Sequence, residues 1–244
     1  MFCEKYYFSD TVEKFRMKFF TYNETIDEQV KMILGRVRKL MNGEVAAQLQ
    51  SAGLKYKKLF GVSLVHLRQL SQEYQPDNEL AERLWHRDIR ETMILATMIA
   101  DREKLARDKL MEWGSGISNL ELAEQLAFNL LGKRSGSAEI IEQWMLHPQF
   151  YVRYAALMSL GWQFRFVGNE LAPLVRGSFG VLEALASDGN LSKAVVHSLK
   201  MAGRFSEELR PEVRALAQKW KKSDQKHLQA AGDEIFLELE MAGR

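Results

Sequence analysis

The residues of this 244-residue chain whose types could do chemistry are mostly cations set beside aromatic rings. Lys55, Lys57 and Lys58 interleave with Tyr56 and Phe60, Lys133-Arg134 lies in a glycine-flanked loop, and Lys219, Lys221 and Lys222 flank Trp220. A phosphate backbone asks only for positive charge on flexible stems, so such clusters suit nucleic acid. Each alone is equally a solvated helix face, and only several on one side would make an interface. A carboxylate, Glu124, shares a helix flank with Leu120 one turn earlier. Other chemistries lack their residues. The five histidines, His66, His86, His147, His197 and His227, are dispersed and Cys3 is alone, so no metal site is expected. No Walker-type phosphate loop or dinucleotide fingerprint occurs, and no cofactor is expected. Gly177-Ser178-Phe179-Gly180 is not a nucleophile elbow.

The elements that must position these residues read as helices. Ser118 to Leu131 opens with Ser118 as an N-cap, and Glu121 three residues on completes a capping box. Leu122, Ala123, Leu126, Ala127, Leu130 and Leu131 then recur at helical spacing as a buried stripe. Upstream, Asp10 to Tyr22 and Ile26 to Met41 read as helices, the second opened by a Thr25/Glu28 capping box, and Gly43 to Ala52 as a third that ends at Gly53. A basic, aromatic connector follows over Leu54–Gly61, then a helix capped by Ser63.

Beyond the Pro76-Asp77-Asn78 turn the chain falls into helix pairs. Asp77–His86 pairs with Ile89–Ala100, Arg102–Trp113 with Ser118–Leu131, and Ala138–Leu146 with Phe150–Phe164. Glu170–Ala186, interrupted near Gly177 and Gly180, pairs with Leu191–Gly203, and Ser206–Lys222 with Asp224–Met241. The second helices beginning Ile89-Arg90 and Val152-Arg153 overlay in pattern: a branched residue, an arginine, then an apolar run. Second helices recur on the order of every 30–40 residues, a helical-repeat period. One pair cannot bury its apolar face alone, so pairs stack into a curved solenoid with a concave face. The expectation is all-α: one α-solenoid domain of HEAT-like antiparallel helix pairs over 1–244, with residues 1–53 as an N-terminal helical cap and 54–244 as the stacked pairs.

Composition agrees. The chain is 46% hydrophobic and 27% charged, with four prolines and a formal net charge of +2. That permits nucleic acid without demanding it, because the footprint that counts is a local patch. A lone cysteine excludes an internal disulfide. There is no apolar run of transmembrane length and no signal-peptide pattern, so no membrane association and a cytoplasmic location are expected.

Five segments, in order, resemble the AlkD-like DNA alkylation repair family. They are Phe60–Arg68, Leu84–Glu91, Asn119–Leu131, Tyr151–Ala156 and Lys193–Lys200. The resemblance covers roughly Phe60 to Gly203. It implies excision of N3- and N7-alkylated purines through an oxocarbenium-like sugar, whose positive charge a carboxylate stabilises. It also implies aromatic faces toward the cationic lesion. By this match Glu124 is the catalytic carboxylate and Arg153 the DNA-facing arginine. Leu120 and His197 stand where the family carries aromatics, and Glu124 where it carries an aspartate.

The expected function is therefore binding of double-stranded DNA through a basic concave groove holding Arg153, Lys133, Arg134, Lys193 and Lys200, with weak or altered base excision. Leu120, His197, Trp113 and Tyr154 are expected to face the lesion. Trp113, beside Gly114 and Gly116, is expected to reach the concave face, while Trp85, Trp144 and Trp162 pack inside. Glu124 and Arg153 also fit ordinary solvated or salt-bridging positions. Two other readings stay open. An active alkylpurine glycosylase would leave Glu124 open to the groove, with Trp113, Tyr154 or Trp162 replacing the missing aromatics. A protein-interaction solenoid, with a protein partner instead of DNA, would interrupt the basic path with acidic residues.

Overall fold

The computed structural model describes residues 18–242, and these form fourteen α-helices with no strand among them. The first three are α1 (Glu24–Lys39), α2 (Gly43–Ser51) and α3 (Leu64–Ser71). Then come α4 (Asn78–Trp85) paired with α5 (Arg90–Ile99), α6 (Arg107–Ser115) followed by α7 (Leu120–Asn129), and α8 (Ala138–Met145) paired with α9 (Phe150–Phe166). In the next unit α10 (Ala172–Gly177) and α11 (Phe179–Ser187) precede α12 (Ser192–Phe205), and α13 (Arg210–Lys221) precedes α14 (Lys226–Ala242). The break between α10 and α11 falls at Ser178, between the two glycines expected to cause it.

The second helices α5, α7, α9, α12 and α14 pack in succession, and α4, α8, α11 and α13 pack against their own partners. That is a row of helix pairs, as the repeat period implies. One apolar core runs through it, from Ile26, Val30, Ile33 and Val37 of α1 to Ile235 and Leu239 of α14. No helix among the described residues is long and apolar enough to cross a membrane.

Several expected helix starts move. α7 is capped by Asn119, whose side-chain oxygen accepts from Leu122 N at 3.0 Å, and not by Ser118. Glu121 does not reach back to complete a box, because Arg90 holds it. α1 starts from Asn23 in place of the Thr25/Glu28 box, while Ser63 caps α3 as expected. The expected Asp10–Tyr22 helix lies largely outside the described residues, and its described end, residues 18–22, is irregular.

The connector before α3 is pinned across the starts of α5 and α7. Glu91, fully buried, accepts from the backbone N–H groups of Phe60 (3.0 Å) and Val62 (3.3 Å). Arg90, 3% exposed, donates to the Val62 carbonyl at 2.8 Å, to Glu91 at 3.0 Å, and to both carboxylate oxygens of Glu121 at 2.6 and 2.8 Å. Tyr56 completes the set, its hydroxyl donating to Glu121 at 3.0 Å. Burial raises the Tyr56 hydroxyl pKa above the ordinary phenol value, and the Glu121 carboxylate adds to this, so the phenol stays a donor. Gly61 turns the connector with φ +74°, where a Cβ would collide with the Asn42 carbonyl oxygen.

Candidate nucleic-acid interface

Three exposed stripes run along the second helices. On α7 they are Leu120, Glu124 and Phe128, each one turn after the last. On α9 they are Tyr154, Trp162 and Phe166, with Arg165 beside them. On α12 they are Lys193, His197, Lys200 and Arg204. Neighbouring stripes touch. Tyr154 donates its hydroxyl to Glu124 at 2.9 Å, Phe128 meets Trp162 edge to face at 5.0 Å, and Trp162 meets His197 at 4.9 Å.

Glu124 is exposed, and Leu120 beside it is 44% exposed. The phenol of Tyr154 is shifted above its ordinary value by burial and then by the Glu124 carboxylate. It therefore stays protonated and fixes one carboxylate oxygen. Arg153 is the neighbour of Tyr154 on α9. Its Nε is buried without a hydrogen-bond partner among the described residues. His147, at the turn before α9, is held below its ordinary pKa by burial and by the Arg153 charge. Lys133 follows α7 in a short 3-10 turn over Leu131–Lys133. Its ammonium lies 4.4 Å from the Phe128 ring centroid and 5.0 Å from that of Phe166. Burial lowers its pKa, and the charges of Arg102 and Arg68 lower it further.

Farther along, an open cleft of about 470 Å³ is lined by Trp162, Arg165, Lys193, His197, Lys200 and Arg204, and by Glu234 and Glu238 of α14. His197 packs over Gly161, and burial followed by the Lys200 charge holds its pKa down to about 4. It is a neutral ring at ordinary pH. Among the described residues, Arg153, Lys133, Lys193 and Arg165 have no carboxylate at ion-pair distance. Lys200 does: Glu234 lies at 3.2 Å and Glu238 at 3.5 Å.

The structure brings Glu124, Leu120, Tyr154, Lys133, Lys193 and His197 to these stripes, leaves Arg153 beside His147 at the turn before α9, and corrects three expectations. Trp113 does not face the surface. It is fully buried, stacked on Trp85 with centroids 4.5 Å apart, and its indole N–H donates to Glu82 at 2.9 Å. The adjacent Gly114 is where the Trp144 ring packs, not an opening. Arg134 does not project from its loop. Its guanidinium donates to the Arg102 and Leu105 carbonyls at 2.6 Å each, clamping two turns together. Lys200 lines the cleft but is neutralised by α14.

Other clusters resolve differently. Two of the three lysines around Trp220 are ion-paired, Lys219 to Glu183 and Lys221 to Asp233, and Trp220 between them is core. One histidine has carboxylate neighbours that the sequence did not show: Glu82, His86 and Glu112 converge with ligand atoms within 4.8 Å of one another. The ammonium of Lys18 sits among them, 2.8 Å from each glutamate and 3.4 Å from His86.

The residues missed in the sequence are Phe128, Phe166 and Arg165, and Trp162, expected to pack inside and named on the groove only in the glycosylase alternative, is partly exposed. Trp85, Trp113, Trp144 and Trp220 are each at most 1% exposed, whereas Trp162 is half-buried. Helical register carried part of the signal, since Phe128 falls one turn after Glu124 and Phe166 one turn after Trp162.

Helix pairs stacked in a row, with the second helices bearing the exposed cations and aromatics, define the HEAT-like repeat architecture. The model of the family described as DNA alkylation repair enzyme matches residues 33–189, and the chain belongs to that family. No curated protein matches the chain. A solved structure described as "A new family of proteins related to the HEAT-like repeat DNA glycosylases with affinity for branched DNA structures" is similar, with a TM-score of 0.68 and 17% identity over 86% of this chain and 94% of its own. At that identity the likeness is one of fold.

Proposed function

We propose that this protein binds DNA across the exposed faces of α7, α9 and α12, with a weak or altered capacity for base excision centred on Glu124. The observation that carries the reading is a charge imbalance. At the α12–α14 end of the face the cations are matched to carboxylates, Lys200 to Glu234 and Glu238 and Arg204 to Glu238. Lys133, Arg165 and Lys193, around the Phe128–Trp162–Phe166 group and along the cleft, have no carboxylate partner among the described residues. Unmatched cations near one another raise the free energy of the isolated protein, and a phosphate backbone relieves that cost. Glu234 and Glu238 bound this region at α14. The similar protein's described affinity for branched DNA supports the same reading.

The excision component rests on the exposed carboxylate of Glu124 and its Tyr154 hydrogen bond. A carboxylate so placed can stabilise positive charge developing on a sugar. The aliphatic Leu120 and the neutral, packed His197 offer little of the cation attraction that aromatic faces would supply.

Two measurements test the proposal. Binding of a labelled duplex, followed against salt, should weaken in the Lys133→Gln/Arg165→Gln/Lys193→Gln variant, with a salt slope shallower by about one for each phosphate that loses its cation. An unchanged slope would sink the assignment of these residues. Release of free methylated base from DNA carrying 7-methylguanine and 3-methyladenine should be slow and should vanish in Glu124→Gln. Equal release from the variant would remove Glu124 from the chemistry.

A further inference from the structure

We propose that Phe128, Trp162 and Phe166 form a stacking platform for an unpaired nucleobase, with Arg165 and Lys133 placed to hold the phosphates on either side of it. The inference rests on the DNA-binding reading above and says which part of a DNA molecule the face would take.

The three rings form one group at the surface where α7 and α9 meet. Their centroids are 5.0 Å (Phe128–Trp162), 5.6 Å (Phe128–Phe166) and 5.8 Å (Trp162–Phe166) apart. They are not a sealed part of the core, since Phe166 is 41% exposed and Trp162 is the one tryptophan that is not fully buried. The planes of Trp162 and Phe166 lie 30° apart, and Phe128 stands edge-on to both. The platform is pre-set. Gly132 leaves room for the Trp162 side chain, where any Cβ would collide with Trp162 Cβ, and His197 closes the far edge of the ring.

Cations lie over the rings. Lys133 lies over Phe128 and Phe166, and Arg165 lies 5.9 Å from the Trp162 centroid and 5.6 Å from that of Phe166. Neither has a carboxylate partner among the described residues. The open cleft begins at Trp162 and Arg165 and continues past Lys193. Partly exposed rings with unmatched cations beside them are the components of single-strand recognition. Bases stack on the rings whatever their sequence, while cations follow the backbone. A paired base cannot use such a surface, because its faces are already covered by its neighbours. The platform therefore favours tails, bulges and junctions over blunt duplex.

The experiment compares a blunt duplex, the same duplex with a short single-stranded tail, and the tail alone, by direct titration at one fixed salt concentration. The full chain should bind the tailed duplex on the order of tenfold tighter than the blunt one. Tail binding should quench tryptophan emission, since Trp162 is the tryptophan within reach. Phe166→Ala should remove most of the preference for the tailed duplex, and Trp162→Phe should abolish the quench while the protein melts at an unchanged temperature. Equal affinity of the full chain for blunt and tailed DNA would overturn the platform while leaving DNA binding intact. So would a preference that survives Phe166→Ala. Failure to bind any of the three DNAs would overturn the underlying DNA-binding reading instead.

Discussion

Arg90 and Arg153 share a sequence pattern, an arginine after a branched residue on a second helix, yet Arg90 is the first residue of α5 and Arg153 the fourth of α9, and the structure treats them oppositely. Arg90 is buried and fully answered by Glu91, Glu121 and the Val62 carbonyl. Arg153 is half-buried, has an unsatisfied Nε, and has a neighbouring histidine in place of a carboxylate. The first arginine welds the connector to the repeats. The second keeps a charge that the fold does not consume. A shared sequence pattern thus does not determine a residue's role; the charge brought up against it by other elements does.

The largest effect should come from breaking the compensated site. Arg90→Leu leaves Glu91 and Glu121 without their cation, and should cost about 3–5 kcal/mol in chemical denaturation. Arg153→Leu should cost less than about 1 kcal/mol, because it removes no paired charge. Equal losses would erase the contrast. Next, the correction at the start of α7 predicts that Asn119→Ala costs about 1 kcal/mol as a lost N-cap. Ser118→Ala should be nearly silent, and a larger loss from Ser118 would restore the capping box.

A pH effect separates the two stripes further. The folded-state pKa of His197 lies at about 4, below the ordinary 6.5, because of burial and then Lys200. A depressed histidine contributes stability that is complete above the unfolded value and is lost as pH falls toward the folded one. Melting temperature should therefore fall between pH 6.5 and 4 more steeply in the native chain than in His197→Leu. Parallel curves would show that the ring titrates freely. The smallest effect concerns His147. Its pKa, followed by NMR, should rise modestly in Arg153→Gln, because one of the two causes lowering it is the Arg153 charge. No movement would mean that the arginine is already neutralised.

The helix pairs and their approximate bounds were legible because burial of an apolar stripe repeats at helical spacing and is local in sequence. The interruption near Gly177 and Gly180 was legible for the same reason. Helix starts were less so. Ser118 and Asn119 are both good caps, and the choice turned on Arg90, 31 residues from Glu121, drawing that glutamate away. Glu124 could be placed on an exposed helix flank, one turn after Leu120. Trp113 and Arg134 could not be placed correctly, since a tryptophan between glycines and a lysine-arginine loop look open in one dimension.

The sequence by itself determined the all-helical repeat architecture, the family, and which segments carry the candidate chemistry, because these follow from local periodicity and ordered motifs. The tertiary structure decided which cations remain unmatched and which tryptophan reaches solvent. Charge compensation and burial are set by atoms from other repeats, some 30 residues away, as with Lys200 and Glu234 or Trp162 and Phe128. Spacing along one chain carries no information about such encounters until the pairs are stacked.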